Sequence, residues 1–194
     1  MGYQLIAAPA AEPLTLAEAK AHMRVDISDD DVLITSLIVA ARQYAEQLTA
    51  RSFITQQWRF VFDSFYDDDT STIYLEKGPI ASIDSITYVD MTGVTQTMPS
   101  ADYVADLSGP LARITPRFGK VWPIALPQIG SGAVNFTAGY GAAAAVPEGL
   151  KSWIKLRLSA LYENREEALA GTRIVVAELP YMDSLLDAYT IRRA

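Results

Sequence analysis

The residues best suited to chemistry in this 194-residue chain fall into four sets, and each lacks something its reaction would need. Gly139-Tyr140-Gly141-Ala142-Ala143-Ala144 has the form G-x-G-x-x-A and stands between a candidate strand and a helix, as a dinucleotide fingerprint does. That fingerprint needs the helix to open at the glycines, where its N-terminus meets a pyrophosphate, and an acid ending a second parallel strand about twenty residues on. Here the helix restarts only at Pro147, and the acids that follow, Glu163 and Glu166, belong to that helix. The glycines read instead as a flexible strand-to-helix joint with unusual backbone angles. His22, the only histidine, could act as a general base, but no serine or cysteine nucleophile stands in a recognisable context, so it reads as a surface or interface residue. Asp67 and Asp69 have the two carboxyl groups that glycoside hydrolysis requires, yet in a turn-like run of charge they read as a solvated loop.

The fourth set is Asp26, Asp29, Asp30 and Asp31, hard oxygen donors for calcium or magnesium. An EF-hand loop needs glycine at its sixth position and glutamate at its twelfth; counted from Asp26 these are Asp31 and Leu37. A helix cap accounts for the run better, because the positive end of a helix stabilises carboxylates in its first turn. No catalytic, cofactor-binding or metal-ligating residue is therefore assigned, and no cofactor is expected.

These candidates are held by elements that the sequence marks clearly. Thr15 and Glu18 form a capping box for a short helix running to about Met23. Ser28 repeats the device, with Asp29, Asp30 and Asp31 in the first turn and Ile27 and Val32 at hydrophobic-staple spacing. The helix that follows is amphipathic: Leu33, Leu37, Ala41, Tyr44 and Leu48 share one face, flanked by Ile34, Ile38 and Ala45, with Thr35, Arg42, Glu46 and Thr49 opposite. After Arg51 the period becomes two. Trp58, Phe60 and Phe62 alternate with Gln57, Arg59 and Val61, and further short strands are expected near 72–75, 82–89, 94–98, 103–105, 112–115 and 133–138. Asp90-Met91-Thr92-Gly93 is a turn, and the stretches 116–119 and 127–132 are breaks between strands. Trp58, Phe60, Phe62, Tyr88 and Phe136 sit at strand periodicity, which favours core packing over base stacking.

Helix returns at Pro147, with Leu150, Trp153, Ile154, Leu158, Leu161 and Tyr162 on its apolar face. Arg157 falls inside that apolar arc, so it must snorkel, pair with a carboxylate or face another subunit. Past Gly171 a short extended piece near 174–176 and a last small helix through Leu185, Leu186 and Tyr189 are expected. The fold class is α+β: N- and C-terminal helices form a small helical bundle around an inserted antiparallel β-sheet or small sandwich, because no helical crossover separates the strands. The expected divisions are an N-terminal helical part at 1–53, an inserted β domain at 54–141, a helix completing the bundle at 142–171, and a C-terminal extension at 172–194.

Composition narrows the partners. Sixteen basic against 23 acidic residues give a net charge of −7, which repels a phosphate backbone, so nonspecific nucleic-acid binding is not expected. The absence of cysteine excludes disulfides, thiolate chemistry and cysteine zinc sites. No signal peptide or membrane span is evident in the pattern, and a soluble chain made in a cytoplasm is expected.

The order and spacing of several segments resemble the head-to-tail connector, or adaptor, proteins of long-tailed bacteriophages and phage-like gene-transfer particles. The segments are LTLAEAKAHMRVD with DDDVLITSLIVAARQYAEQLTAR, RFGKVWP at 117–123, FTAGYG at 136–141, VPEGLKSWIKLRLSALYENRE at 146–166 and LPYMDSLLDAY at 179–189. The resemblance implies a ring, usually dodecameric, at the virion neck and assembled in the host cytoplasm. One side docks on the portal protein, the other receives the next neck or tail protein (a head-completion stopper or tail terminator), and DNA passes through the lumen without specific binding. It implies no catalysis and no membrane. The interface candidates are Arg157, Leu179, Tyr181, Leu185, Leu186 and Tyr189. The segment after Gly171 is expected to extend from the body towards the portal or a neighbouring subunit, since its apolar anchors are few and Pro180 interrupts them. Two alternatives stand beside this: another neck or tail-completion protein, and a small carbohydrate-active enzyme with converging carboxylates.

Overall fold

The computed structural model describes residues 1–66, 71–164 and 183–191. The chain divides into two compact units that alternate along the sequence: Met1–Ala10 with Ile54–Tyr140, and Ala11–Phe53 with Gly141–Ala194. The fold is α+β, with two antiparallel sheets in the first unit and four α-helices in the second. No helix among the described residues is long and apolar enough to cross a membrane.

The sheet unit is built from eight strands: β1 (Gly2–Ala7), β2 (Gln56–Phe62), β3 (Ile73–Leu75), β4 (Ile80–Val89), β5 (Thr95–Thr97), β6 (Tyr103–Asp106), β7 (Ala112–Pro116) and β8 (Gly132–Ala138). Five form one sheet in the order β1-β2-β8-β4-β5, and three form another in the order β3-β7-β6. The most buried strand, β8, lies between β2 and β4, pairing Phe136 with Trp58 on one side and with Ile83 on the other. One apolar core joins the two sheets, with Phe62, Ile86, Val134 and Phe136 from the larger and Ile73, Leu75 and Ile114 from the smaller. The alternation read from Trp58 to Phe62 is present, as is the Asp90–Gly93 turn, where Gly93 adopts φ +82°. The strand at Gly2–Ala7 was not anticipated. It pairs with β2 at the edge of the larger sheet, and five of its six residues are exposed, so it carries little of the alternation by which a strand announces itself.

The helical unit contains α1 (Leu16–Met23), α2 (Asp31–Thr49), α3 (Glu148–Glu163) and the single turn α4 (Ser184–Asp187). Both α1 and α2 pack on α3, and α4 touches α2 and α3. The capping box of α1 is complete: the Glu18 N–H donates to the Thr15 hydroxyl at 3.2 Å, and the Thr15 N–H donates to the Glu18 carboxylate at 2.7 Å.

Three details of α2 correct the sequence reading. The helix begins at Asp31 with Asp30 as N-cap and no side-chain cap bond, so Ser28 does not cap it. Ile27 and Val32 are both well exposed, and no hydrophobic staple forms. The buried face runs through Ile34, Ile38, Ala41, Arg42, Ala45 and Thr49, rotated from the expected one, while Tyr44 and Leu48 are partly open to solvent. The rotation follows from two apolar stripes of similar strength lying side by side, so the choice between them falls to tertiary partners.

Candidate interaction surfaces

The structure gives none of the chemistry-bearing residues a catalytic setting. His22 is exposed in the last turn of α1. The run Asp67–Asp69 lies outside the described residues, and no group of three or more potential metal ligands occurs among those described. The glycine motif is a backbone device. Gly139 has φ +124° and Gly141 φ +118°, and α3 opens only at Glu148. A Cβ at Gly139 would collide with the carbonyl of Ile54, so glycine is required there for both angle and space.

The aspartate run is used for tertiary pinning. The Tyr162 hydroxyl of α3 donates to Asp30 at 2.6 Å, and Lys20 of α1 bridges Asp31 while also donating to the Ile27 carbonyl at 2.7 Å. The carboxylates that a helix N-terminus favours therefore also tie α1 and α3 to the start of α2. Deeper along α2, the Arg42 guanidinium is almost fully buried and meets Glu12 at 2.6 and 3.1 Å and Glu46 at 2.6 Å. Burial alone disfavours its charge, but hydrogen bonds and attraction to the two carboxylates outweigh that and raise its pKa. Glu46 also accepts the Phe53 N–H at 2.7 Å, so one carboxylate serves both a cation and a backbone turn.

Arg157, read as a polar residue within an apolar arc, lies with its guanidinium 5.1 Å from the centroid of the Tyr44 ring. Tyr44 lies 5.9 Å from Trp153, whose indole N–H donates to Asp183 at 3.1 Å. Asp183 precedes α4, and in that segment Leu186 is buried, Leu185 is partly exposed and Tyr189 is half-buried with its ring against Gly149. The Arg51 side chain donates to the Tyr189 carbonyl, and the Ile191 N–H to the Thr49 carbonyl at 3.0 Å. Residues 183–191 thus fold back onto α2 and α3, which corrects the expectation that everything after Gly171 extends from the body. One buried leucine and three tethering hydrogen bonds anchor a segment that looks poorly anchored by composition. Leu179 and Tyr181 lie outside the described residues.

The most exposed large apolar side chains of the sheet unit among the described residues cluster on the loop between β7 and β8. Trp122 anchors this loop: it is buried, its ring stacks on Phe65 at 5.0 Å, its indole N–H donates to the Ser71 carbonyl at 2.7 Å, and its own carbonyl accepts the Tyr66 hydroxyl at 2.7 Å. Around that anchor Phe118, Val121, Ile124 and Ile129 are all strongly exposed. The sequence reading took these stretches as mere breaks; apolar residues recurring within a proline- and glycine-rich segment are the signal that marked them as a surface. At the same end of the larger sheet, where the Leu126 N–H of this loop donates to the Val89 carbonyl at 2.8 Å, Asp90 closes the β4–β5 turn. Hydrogen bonds from the Thr92 hydroxyl, the Gln96 amide and the Val94 N–H hold its carboxyl well below the usual range.

A model of the family described as phage gp6-like head-tail connector protein matches residues 13–97, which include α1, α2 and the strands β2 to β5. A search of the curated proteins finds no match. Among solved structures, a chain in the neck of an empty gene transfer agent particle, computed with C6 symmetry, is 25% identical with a TM-score of 0.79; the match covers 100% of this chain and 97% of that one. A chain from the virion of a native gene transfer agent particle (24% identical, TM-score 0.80) and one from a native particle's neck computed with C12 symmetry (23% identical, TM-score 0.76) share the fold with the same coverage. The resemblance to head-tail connectors carried by the sequence is borne out by both kinds of comparison.

Proposed function

We propose that this chain, which resembles head-tail connectors in sequence and in fold, is a structural connector at the neck of a phage-like particle. The observation that carries this is the whole-length likeness to a neck protein: every residue of the chain and 97% of the other are covered at 25% identity. Copies of the chain form a ring, a dodecamer, with the portal protein on one side and the next neck or tail protein, a stopper or tail terminator, on the other.

DNA passes through the lumen without specific binding, in keeping with a net charge of −7, since a wall that held phosphates tightly would impede movement. A lumen found to be strongly basic would contradict that part. The role needs no catalysis. Of the interface candidates, Leu185 offers an exposed apolar side chain, Arg157 and Tyr189 are half-buried, and Leu186 supports the surface from within. The test is electron microscopy of particles carrying a tagged copy, combined with capture of the portal protein. Tag density in a ring directly beneath the portal is expected. Density at the tail tube without portal capture would favour a tail-completion protein.

A further inference from the structure

We propose that the sheet unit carries both halves of a contact between successive copies of this chain, in which Phe118 of one copy enters the pocket bounded by Phe65 and Tyr66 of the next. This rests on the connector reading and deepens it by naming a contact that closes the ring.

The projecting half is Phe118. Its side chain is fully exposed, and it sits second in a turn closed by the Lys120 N–H donating to the Arg117 carbonyl at 2.8 Å, with Gly119 at φ +77°. The base of the turn is fastened to Asp102, whose carbonyl accepts the Arg117 N–H at 2.9 Å and whose carboxylate pairs with Lys120 at 2.8 Å. The ring is therefore presented in a fixed place. Ordering it in a complex sacrifices little of the freedom that an unstructured loop would lose.

The receiving half is a cavity of about 260 Å³ walled by Phe65, Tyr66, Ile124, Ala125 and Pro127, with Asp63 beside them. An apolar cavity of roughly 150 Å³ accommodates benzene, so the volume here is sufficient for a phenyl group. Phe118 does not occupy the pocket of its own chain, since it is wholly exposed, and the buried Trp122 fixes the loop between the two features. Charge matches as well. The exposed Arg117 next to the projecting ring makes no ion pair among the described residues, while the Asp63 carboxylate on the wall accepts the Gly130 N–H at 2.7 Å and meets no cation among them. Docking the phenyl group brings these opposite charges to the same rim. Engaged one way from copy to copy, two different patches make a heterologous contact, which closes into a ring or continues as a filament, whereas reciprocal engagement would stop at a pair.

The chain contains no cysteine, which makes the test specific. Particles are purified from a producer in which the double variant Phe118→Cys, Ala125→Cys replaces the chain, oxidised, and run without reductant. A ladder of covalent multimers is expected, with neither single variant giving one, and a mixture of the two single variants stopping at dimers. Cross-linking by Phe118→Cys alone, attachment of Ala125→Cys to a different virion protein, or a monomeric double variant within particles that contain it would each overturn the contact and leave the connector reading intact. Absence of the unaltered parent chain from particles would remove both. Independently, Phe118→Asp should lower incorporation at least tenfold and Phe118→Leu restore it. Equal incorporation of Phe118→Asp and the parent chain would also refute the contact.

Discussion

The guanidinium of Arg157 rests 5.1 Å from the centre of the Tyr44 ring, joining the middle of α3 to the middle of α2. A cation in an apolar arc is thereby accommodated by an aromatic face, whose quadrupole attracts charge without demanding a buried carboxylate. The Tyr44 ring also borders Trp153, so the arginine caps an aromatic pair.

A double-mutant cycle with Arg157→Gln and Tyr44→Leu, read by chemical denaturation, should return a coupling energy of about 0.5–1 kcal/mol. A coupling indistinguishable from zero would mean that Arg157 stands there for another reason, such as contact with a neighbouring subunit.

Leu186→Ala should destabilise the helical unit by about 2–5 kcal/mol, the range for emptying a buried leucine site. Leu186 is 2% exposed although its helix is a single turn. Were the segment only a tether to the portal, the melting temperature of the isolated protein would not move.

Gly139→Ala should cost at least about 2 kcal/mol, combining backbone strain with the collision against Ile54. Gly2→Ala, where an added Cβ meets nothing, is the control and should be nearly neutral. Thermal unfolding of the two variants side by side decides it, and equal midpoints would refute the role given to Gly139.

The capping box of α1 sets a pH signature. Hydrogen bonds from the Thr15 N–H and hydroxyl hold the Glu18 carboxyl below its ordinary value. Its contribution is therefore present above the unfolded carboxylate pKa, about 4.3, and disappears as pH falls through the depressed folded value. Glu18 is almost fully solvated, so the effect is a few tenths of a kcal/mol. Parent and Glu18→Gln proteins should differ in stability at pH 6 and converge near pH 3; a gap that widened on acidification would contradict the assignment.

What the sequence makes legible here is local. The Thr15–Glu18 box, the alternation from Trp58 to Phe62 and the start of α3 after Pro147 are decided within a few residues, and each is present in the structure. What it hides depends on distant partners. Arg42 reads as a solvent-facing residue until Glu12, thirty positions away, is seen to pair with it, and that pairing fixes which of two apolar stripes on α2 turns inward. Asp30 and Asp31 read as capping groups because helix-end electrostatics suffices to explain them; nothing local reveals Tyr162 or Lys20. The candidate surface was hidden differently. Proline and glycine mark the β7–β8 loop as irregular, but only burial shows that Trp122 is its anchor and Phe118 its exposed tip.

The alternation of the two units along the chain constrains how a nascent polypeptide acquires them. The first strand is synthesised before α1 and α2, yet it must wait for β2, some fifty residues later, to find its neighbour. The two early helices wait longer still, because α3 lies beyond the whole sheet unit. During elongation the sheet unit is thus the first that can be completed, while α1 and α2 emerge without the partner that covers their apolar sides. A ribosome-bound intermediate in which residues up to Tyr140 have left the exit tunnel while α3 is still inside it should consequently show a protease-resistant sheet unit with an inserted helical segment still open to chaperones.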